Sequence, residues 1–312
     1  MSNTEIFSFP SQDGRTTIHA MRWIPESGEY KAILQITHGM QEYLERYTPF
    51  AQYLTNQGFM VVAHDHIGHG ESVVSQKEWG YMAPGDASDI LIADMHTLRK
   101  MTQESNPGVP YFMLGHSMGS FMLRKYICIH GTGLTGAIVM GTGVIPQGVV
   151  RLAKGLTKIT AAFHGWHYKS SFIEGLAFGA AYKKYDMTGQ DASNSWLTKD
   201  TAIVKKYYSD PKCTFKFSVN GYMTMFHALD YINRKENIDK IPKTLPMVLV
   251  SGAEDPVGDN GAGVKIAFEG FQQAGIQDVT MRLYQGDHHE ILNETDREKV
   301  YADLKDWMLA RI

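Results

Sequence analysis

Residues 111–129 read YFMLGHSMGSFMLRKYICI, and their reading decides the fold. Tyr111 to Leu114 is a short, continuously apolar run, the signature of a strand buried on both faces. Phe121 to Ile129 has helical character. Between them Gly115-His116-Ser117-Met118-Gly119 fits G-x-S-x-G. By frequency alone, about 0.2 chance matches to that pattern are expected in a chain of this length, so the context has to decide. A strand runs directly in and a helix leaves, which places Ser117 on a tight turn whose flanking positions must be small. Such a turn exposes the hydroxyl above the sheet edge. It also sets the Met118 amide at a helix N-terminus, ready to donate to an oxyanion.

The same rhythm extends in both directions. Upstream, Ala32–Ile36 ends in Thr37-His38-Gly39, and Phe59–Ala63 ends in His64-Asp65-His66. Helical spacing fills 47–57 and 90–101. Thr17–Ile24 partly alternates and is separated from Ala32–Ile36 only by a turn at 25–28, so this first pair is expected to be antiparallel. Downstream come the strand Gly136–Met140, then Met247–Val250, a helix over 263–274, the strand Val279–Tyr284 and a last helix over 295–309. Strands alternating with helices give an α/β fold, a mostly parallel sheet with helices on both faces. From Val144 to Lys240 the rhythm stops and the chain is helical. The expected organisation is a core over 1–143, a helical cap inserted after the sixth strand over 144–240, and the rest of the core over 241–312.

Composition narrows the function classes. The 312 residues carry 30 Lys+Arg against 33 Asp+Glu, a net charge of −3, with no basic run to suit a nucleic acid. No uncharged apolar stretch reaches the roughly 18 residues of a membrane span. The opening MSNTEIFSFPSQDGR has no basic start followed by an apolar run, so no secretory signal is expected. Cys128 and Cys213 fit no metal or C-x-x-C spacing and are expected as buried free thiols in a cytoplasmic chain. The 17 methionines are an unusual count, and such residues fill cores or line adaptable binding surfaces.

A serine hydroxyl needs a base, and in this fold type the order along the chain is serine, acid, histidine. The strand at 247–250 runs into Ser251-Gly252-Ala253-Glu254-Asp255-Pro256, where Asp255 is the first choice and Glu254 and Asp259 are alternatives. After Tyr284 comes Gln285-Gly286-Asp287-His288-His289-Glu290. Only one of two adjacent histidines can face the serine, and His289 is preferred over His288. A second oxyanion amide is expected from Met40, with Gly39 allowing close backbone approach. Glu42 and Arg46, four apart, are expected to pair and brace that loop. The histidine-rich His64-Asp65-His66-Ile67-Gly68-His69 is expected to support the site through hydrogen bonds rather than to bind a metal.

Taken together, His38-Gly39, Glu42, Arg46-Tyr47, Asp65, Gly68-His69-Gly70, Ser72, Gly115–Gly119, Gly252, Asp255 and His289-Glu290 resemble the monoacylglycerol lipase and lysophospholipase branch of the α/β-hydrolases, often grouped with serine aminopeptidases. The resemblance runs nearly the whole chain, in order. It implies Ser117 as nucleophile, Asp255 as acid, His289 as base, the Met40 and Met118 amides as oxyanion donors, and the helical insertion as a lid over an acyl channel. Tyr43 and Ile67 depart from the family pattern, which often has His and Arg there. The implied activity is hydrolysis of single-chain lipid esters through an acyl-enzyme, with no metal and no organic cofactor. A small-molecule esterase or an aminopeptidase on the same three residues is the alternative; a metal hydrolase or a non-catalytic binding module is the least favoured. Gly39 and apolar residues of the insertion, among them Ile145, Leu176 and Phe178, are expected to contact the substrate along the channel. The expected partner is a small amphiphilic ester, met in transient contact with a membrane surface.

Overall fold

The computed structural model describes residues 3–312. Eight strands form one sheet: β1 (Asn3–Pro10), β2 (Thr17–Ile24), β3 (Ala32–Thr37), β4 (Phe59–His64), β5 (Tyr111–His116), β6 (Gly136–Met140), β7 (Met247–Gly252) and β8 (Val279–Tyr284). Their spatial order is β1-β2-β4-β3-β5-β6-β7-β8. β1, β2 and β4 pair antiparallel, and every pair from β4 to β8 is parallel. Every residue of β3, β4, β5, β6 and β7 is buried, which is why these strands read as largely apolar runs; the exception inside β3, Gln35, is satisfied by the Met95 carbonyl at 3.1 Å and the Tyr111 hydroxyl at 2.6 Å. β8 lies at the sheet edge, and its side chains are mostly partly exposed.

One expectation needs correcting. β2 and β3 do run in opposite directions, but they are not neighbours, because β4 inserts between them. The turn after β2 suggested a hairpin; β2 instead pairs with β1, an edge strand that the sequence reading left out. β1 is mostly exposed, so it lacks the apolar run that marked the other strands.

The helices are α1 (Thr48–Asn56), α2 (Ala87–Ser105), α3 (Met118–His130), α4 (Gln147–His164), α5 (Ser171–Phe178), α6 (Thr201–Ser209), α7 (Pro211–Thr214), α8 (Val219–Ile232), α9 (Lys235–Ile238), α10 (Ala262–Gln273) and α11 (Arg297–Leu309). Strand side chains alternate between two cores. Tyr111 and Met113 of β5 point into a core shared with α2, α3, α8 and α10, whereas Phe112 and Leu114 meet α1 and α11 on the other face. Between β6 and β7 the described residues form α4 to α9 with no strand. α8 packs on both α3 and α4, so this helical segment is rooted in the body's own core.

The turn between β5 and α3 carries a prediction. A Cβ on Gly115 would come 2.3 Å from the Gly119 carbonyl oxygen, and one on Gly119 would come 2.2 Å from the Thr37 oxygen. These are backbone atoms and cannot swing away. Gly119→Ala would raise intrinsic helix propensity by about 1 kcal/mol, yet the clash should reverse the sign and destabilise by about 1–3 kcal/mol. A lower urea midpoint for Gly119→Ala is the expected result.

Candidate active site

Ser117 sits between the C-terminal end of β5 and the start of α3 with φ 55 and ψ −122, a left-handed conformation that costs a non-glycine residue about 1–3 kcal/mol. The fold holds it there: the Ser117 N–H donates to the Met140 carbonyl at 3.0 Å, and its own carbonyl accepts from Ser120 N at 2.8 Å. Met118 is the first residue of α3, so its N–H has no intrahelical acceptor and points outward at the helix terminus. The opposing wall is the segment after β3. Gly39 approaches so closely that a Cβ there would lie 2.8 Å from the Ser117 Cβ. Met40 follows and, with Met118, lines the same cavity as Ser117 and His289.

Asp255 and His289 come together from the ends of β7 and β8. His289 Nδ1 lies 2.9 Å from Asp255 Oδ2, and both side chains are almost wholly buried. Asp255 Oδ2 also accepts from Ser251 Oγ at 3.0 Å, and Oδ1 accepts from Val257 N at 2.8 Å. Burial opposes ionisation of Asp255, but the charge and hydrogen bond of His289, with those of Val257 and Ser251, hold it below the usual carboxylate range. The alternatives stand elsewhere. Glu254 is exposed and faces His288 at 3.7 Å. Asp259 lies in a turn with φ 50.

A buried ionic network ties three loops together. Glu42 Oε1 accepts from the Gly39 N–H at 2.5 Å and from Tyr47 Oη at 2.9 Å, and lies 2.9 Å from His116 Nδ1. Arg46 reaches Glu42 at 3.1 Å, as expected from their spacing, and also grips both oxygens of Glu290 at 2.7 Å. Burial lowers the pKa of His116, but the charge and hydrogen bond of Glu42 outweigh it and the net shift is upward. Glu42 is correspondingly held well below the carboxylate range, against the opposing effect of its burial. Arg46→Met would leave Glu290 buried without its cation and Glu42 with His116 alone, a loss of about 3–5 kcal/mol. Chemical denaturation should show that loss, and kcat should fall with it, because both residues adjoin the reacting loops.

The cavity above Ser117 measures about 230 Å³. Ile145 and Phe178 line it; Leu176 does not, and its side chain is 44% exposed while the neighbouring Ala177 forms the wall. Gly39 packs against Ser117 and is not part of the lining. The sequence reading missed the aromatic wall. Trp196 stacks on His289 with centroids 5.0 Å apart, Tyr182 packs edge-on to Trp196 at 5.2 Å, and Phe178 to Tyr182 at 5.2 Å. The Trp196 carbonyl also accepts from His289 N at 3.3 Å. Trp196 lies in an irregular segment, so no periodicity marked it.

His38, His64, His66 and His69 are buried and pack ring against ring. Burial pushes His38 down to about 4 and His64 and His69 down to about 3, so they are neutral. His38 ties this loop to the segment after β3: Nδ1 meets the Gly39 carbonyl at 2.8 Å and Nε2 accepts from His66 N at 2.9 Å. The rings of His64 and His66 have no such partner. Among the described residues these histidines gather no metal-ligand group.

Known proteins resemble this chain in both sequence and fold. The family model described as serine aminopeptidase, S33, matches residues 28–296. Rat monoglyceride lipase is 27% identical over 296 residues, spanning 93% of this chain and 86% of that protein. The monoacylglycerol lipase of Mycolicibacterium smegmatis is 24% identical over 93% of this chain and 92% of its own length. A thermostable carboxyl esterase from Bacillus coagulans, solved with glycerol, superposes with a TM-score of 0.89 at 30% identity, covering 100% of this chain and 99% of the other. A soluble variant of the Saccharomyces cerevisiae monoglyceride lipase shares the fold, with a TM-score of 0.75 at 22% identity over 98% and 94% of the two chains. The chain therefore belongs to the serine aminopeptidase S33 family, as a serine hydrolase of the α/β-hydrolase fold that cleaves carboxylic esters and groups with the monoglyceride lipases.

Proposed function

We propose that Ser117, His289 and Asp255 act as a catalytic triad that hydrolyses single-chain lipid esters, monoacylglycerols or lysophospholipids, through an acyl-enzyme. The observation that carries this reading is the His289–Asp255 pair at 2.9 Å beside a strained Ser117, under a cavity walled largely by apolar and aromatic side chains. In the first step His289 Nε2 takes the Ser117 proton as Oγ attacks the ester carbonyl. The Met40 and Met118 N–H groups receive the oxyanion, and Asp255 holds Nδ1–H and stabilises the imidazolium. The C–O bond to the alcohol then breaks, and His289 returns the proton to the leaving oxygen. Water repeats the sequence on the acyl-enzyme, releasing the fatty acid.

The segment 144–240 serves as the lid in this reading. Phe178, Tyr182, Trp196 and Met225 supply its wall of the cavity. An aminopeptidase would need a free carboxylate to hold the substrate's amine. The two carboxylates lining the cavity, Glu42 and Glu290, are both engaged by Arg46, which favours an ester. A series of p-nitrophenyl esters of increasing acyl length, beside a peptide amide, tests the reading. Turnover of long acyl chains and none of the amide is expected; a sharp optimum at acetate would overturn the lipid assignment.

The outer face of the lid supports contact with a lipid aggregate. Val149, Leu152, Ile159 and Phe163 follow one another along α4 at helical spacing and are exposed, Phe163 to 82%, with Phe172 and Leu176 of α5 exposed beside them. An apolar stripe facing water marks an interaction surface. The double variant Leu152→Ser/Phe163→Ser should bind phosphatidylcholine vesicles less well in a flotation assay while keeping its rate on a short soluble ester. Equal vesicle binding would remove the surface from the account.

A further inference from the structure

One cluster takes no part in that chemistry. His19 of β2, Glu45 of the turn Leu44–Tyr47 and Asp65, just past β4, bring one imidazole nitrogen and two carboxylate oxygens to within 4.8 Å of one another. His19 Nε2 and Glu45 Oε2 are both sealed from solvent and neither has a hydrogen-bond partner. Leaving such a group unpaired costs about 1–3 kcal/mol. In this geometry the two do not satisfy each other, because Nε2 lies 4.0 Å from Glu45 Oε1, beyond hydrogen-bond range. Asp65 is wholly buried; its oxygens accept from Leu44 N at 2.8 Å and Glu71 N at 2.9 Å, and each keeps a lone pair free.

We propose that His19, Glu45 and Asp65 form a structural binding site for a divalent transition-metal ion of the zinc type. Burial pushes the Asp65 carboxyl up to about 7, so an ion would displace its proton on binding, and the two carboxylates then match the double charge. The imidazole selects zinc-like ions over magnesium and calcium, which prefer all-oxygen shells. Ligands about 2.1 Å from a tetrahedral ion stand roughly 3.4 Å apart, so the present spacing has to tighten. Glu45 can supply that movement, since its side chain is the most exposed of the three at 34%. Water completes the shell. The backbone around the ligands is already fixed: Asp65 N donates to the His19 carbonyl at 2.9 Å, and His19 N donates to Ser72 Oγ at 2.9 Å.

The site's position gives it a consequence. Glu45 stands between Glu42 and Arg46, whose network holds Gly39, and Asp65 already grips the Leu44 amide. A bound ion would pin this turn to β2 and β4, so it would raise stability without entering the reaction. This inference stands independently of the lipid substrate.

Isothermal titration of the metal-stripped full-length protein with zinc chloride, paired with thermal melts, tests the site. The wild type is expected to bind one ion and melt several degrees higher when loaded. Affinity should fall at least about tenfold in His19→Ala and in Glu45→Gln, the size of effect that loss of a metal-site interaction produces. Glu45→Gln is nearly isosteric and partly exposed, so it remains informative should His19→Ala fail to fold. Magnesium chloride should give no comparable heat or shift. Equal zinc affinity in wild type and Glu45→Gln, or no zinc-dependent shift in the wild type, would overturn the proposal.

Discussion

Ser117→Ala is expected to lower kcat on a p-nitrophenyl ester by about 10³–10⁶-fold while leaving the fold intact. The range follows from what survives the change. The oxyanion amides and the cavity remain, so some acceleration over water persists, but no covalent path is left. The fold should survive because nothing that holds the turn involves the hydroxyl. Gly115 and Gly119 make room for it, and the Ser117 backbone is fixed through Met140 and Ser120. A melting curve like that of the wild type, beside the lost turnover, is therefore the expected pair of observations. Retention of more than about a tenth of the activity would remove Ser117 from the nucleophile's role.

Asp255→Asn should cost about 10⁴-fold in kcat, and the local hydrogen bonds explain why an isosteric change is so damaging. Asp255 Oδ1 accepts from Val257 N at 2.8 Å, so the carbonyl oxygen of asparagine will take that position. Its NH₂ group then faces His289 Nδ1 and turns it into an acceptor. The ring proton moves to Nε2, and the nitrogen that should receive the Ser117 proton is blocked. Glu254→Gln is the matched control. Glu254 is exposed and faces His288, so its activity should stay close to wild type. An Asp255→Asn enzyme within tenfold of wild type would break the proposed triad.

The parts of this architecture that were legible in the sequence share one physical origin. Strands buried on both faces are largely apolar, so β3 to β7 announced themselves, and the loops after β5, β7 and the edge strand β8 carried Ser117, Asp255 and His289. β1 was illegible because an exposed edge strand needs no such run. The neighbour of β2 was misread because a turn fixes chain direction, not which strand slides in beside it, and β4 returned to fill that place. The Glu42–Arg46 pair was readable from its spacing. The second grip of Arg46, on Glu290, joins residues far apart in the chain and has no local signal. Trp196 escaped for the same reason: its stacking on His289 is set by how the helical segment docks, not by any period along it. Leu176 shows the limit from the other side. Its apolar character fitted a channel wall, but one position along α5 separates a cavity-lining side chain from an exposed one.

The account rests on Ser117 being the activated nucleophile of an ester-binding cavity, and active-site labelling tests that most directly. Incubation with a fluorophosphonate probe, digestion and peptide mass mapping should place a single phosphonyl adduct on Ser117, with labelling slowed by a long-chain monoacylglycerol added as competitor. An unlabelled protein, or an adduct on another residue with Ser117 untouched, would contradict the account.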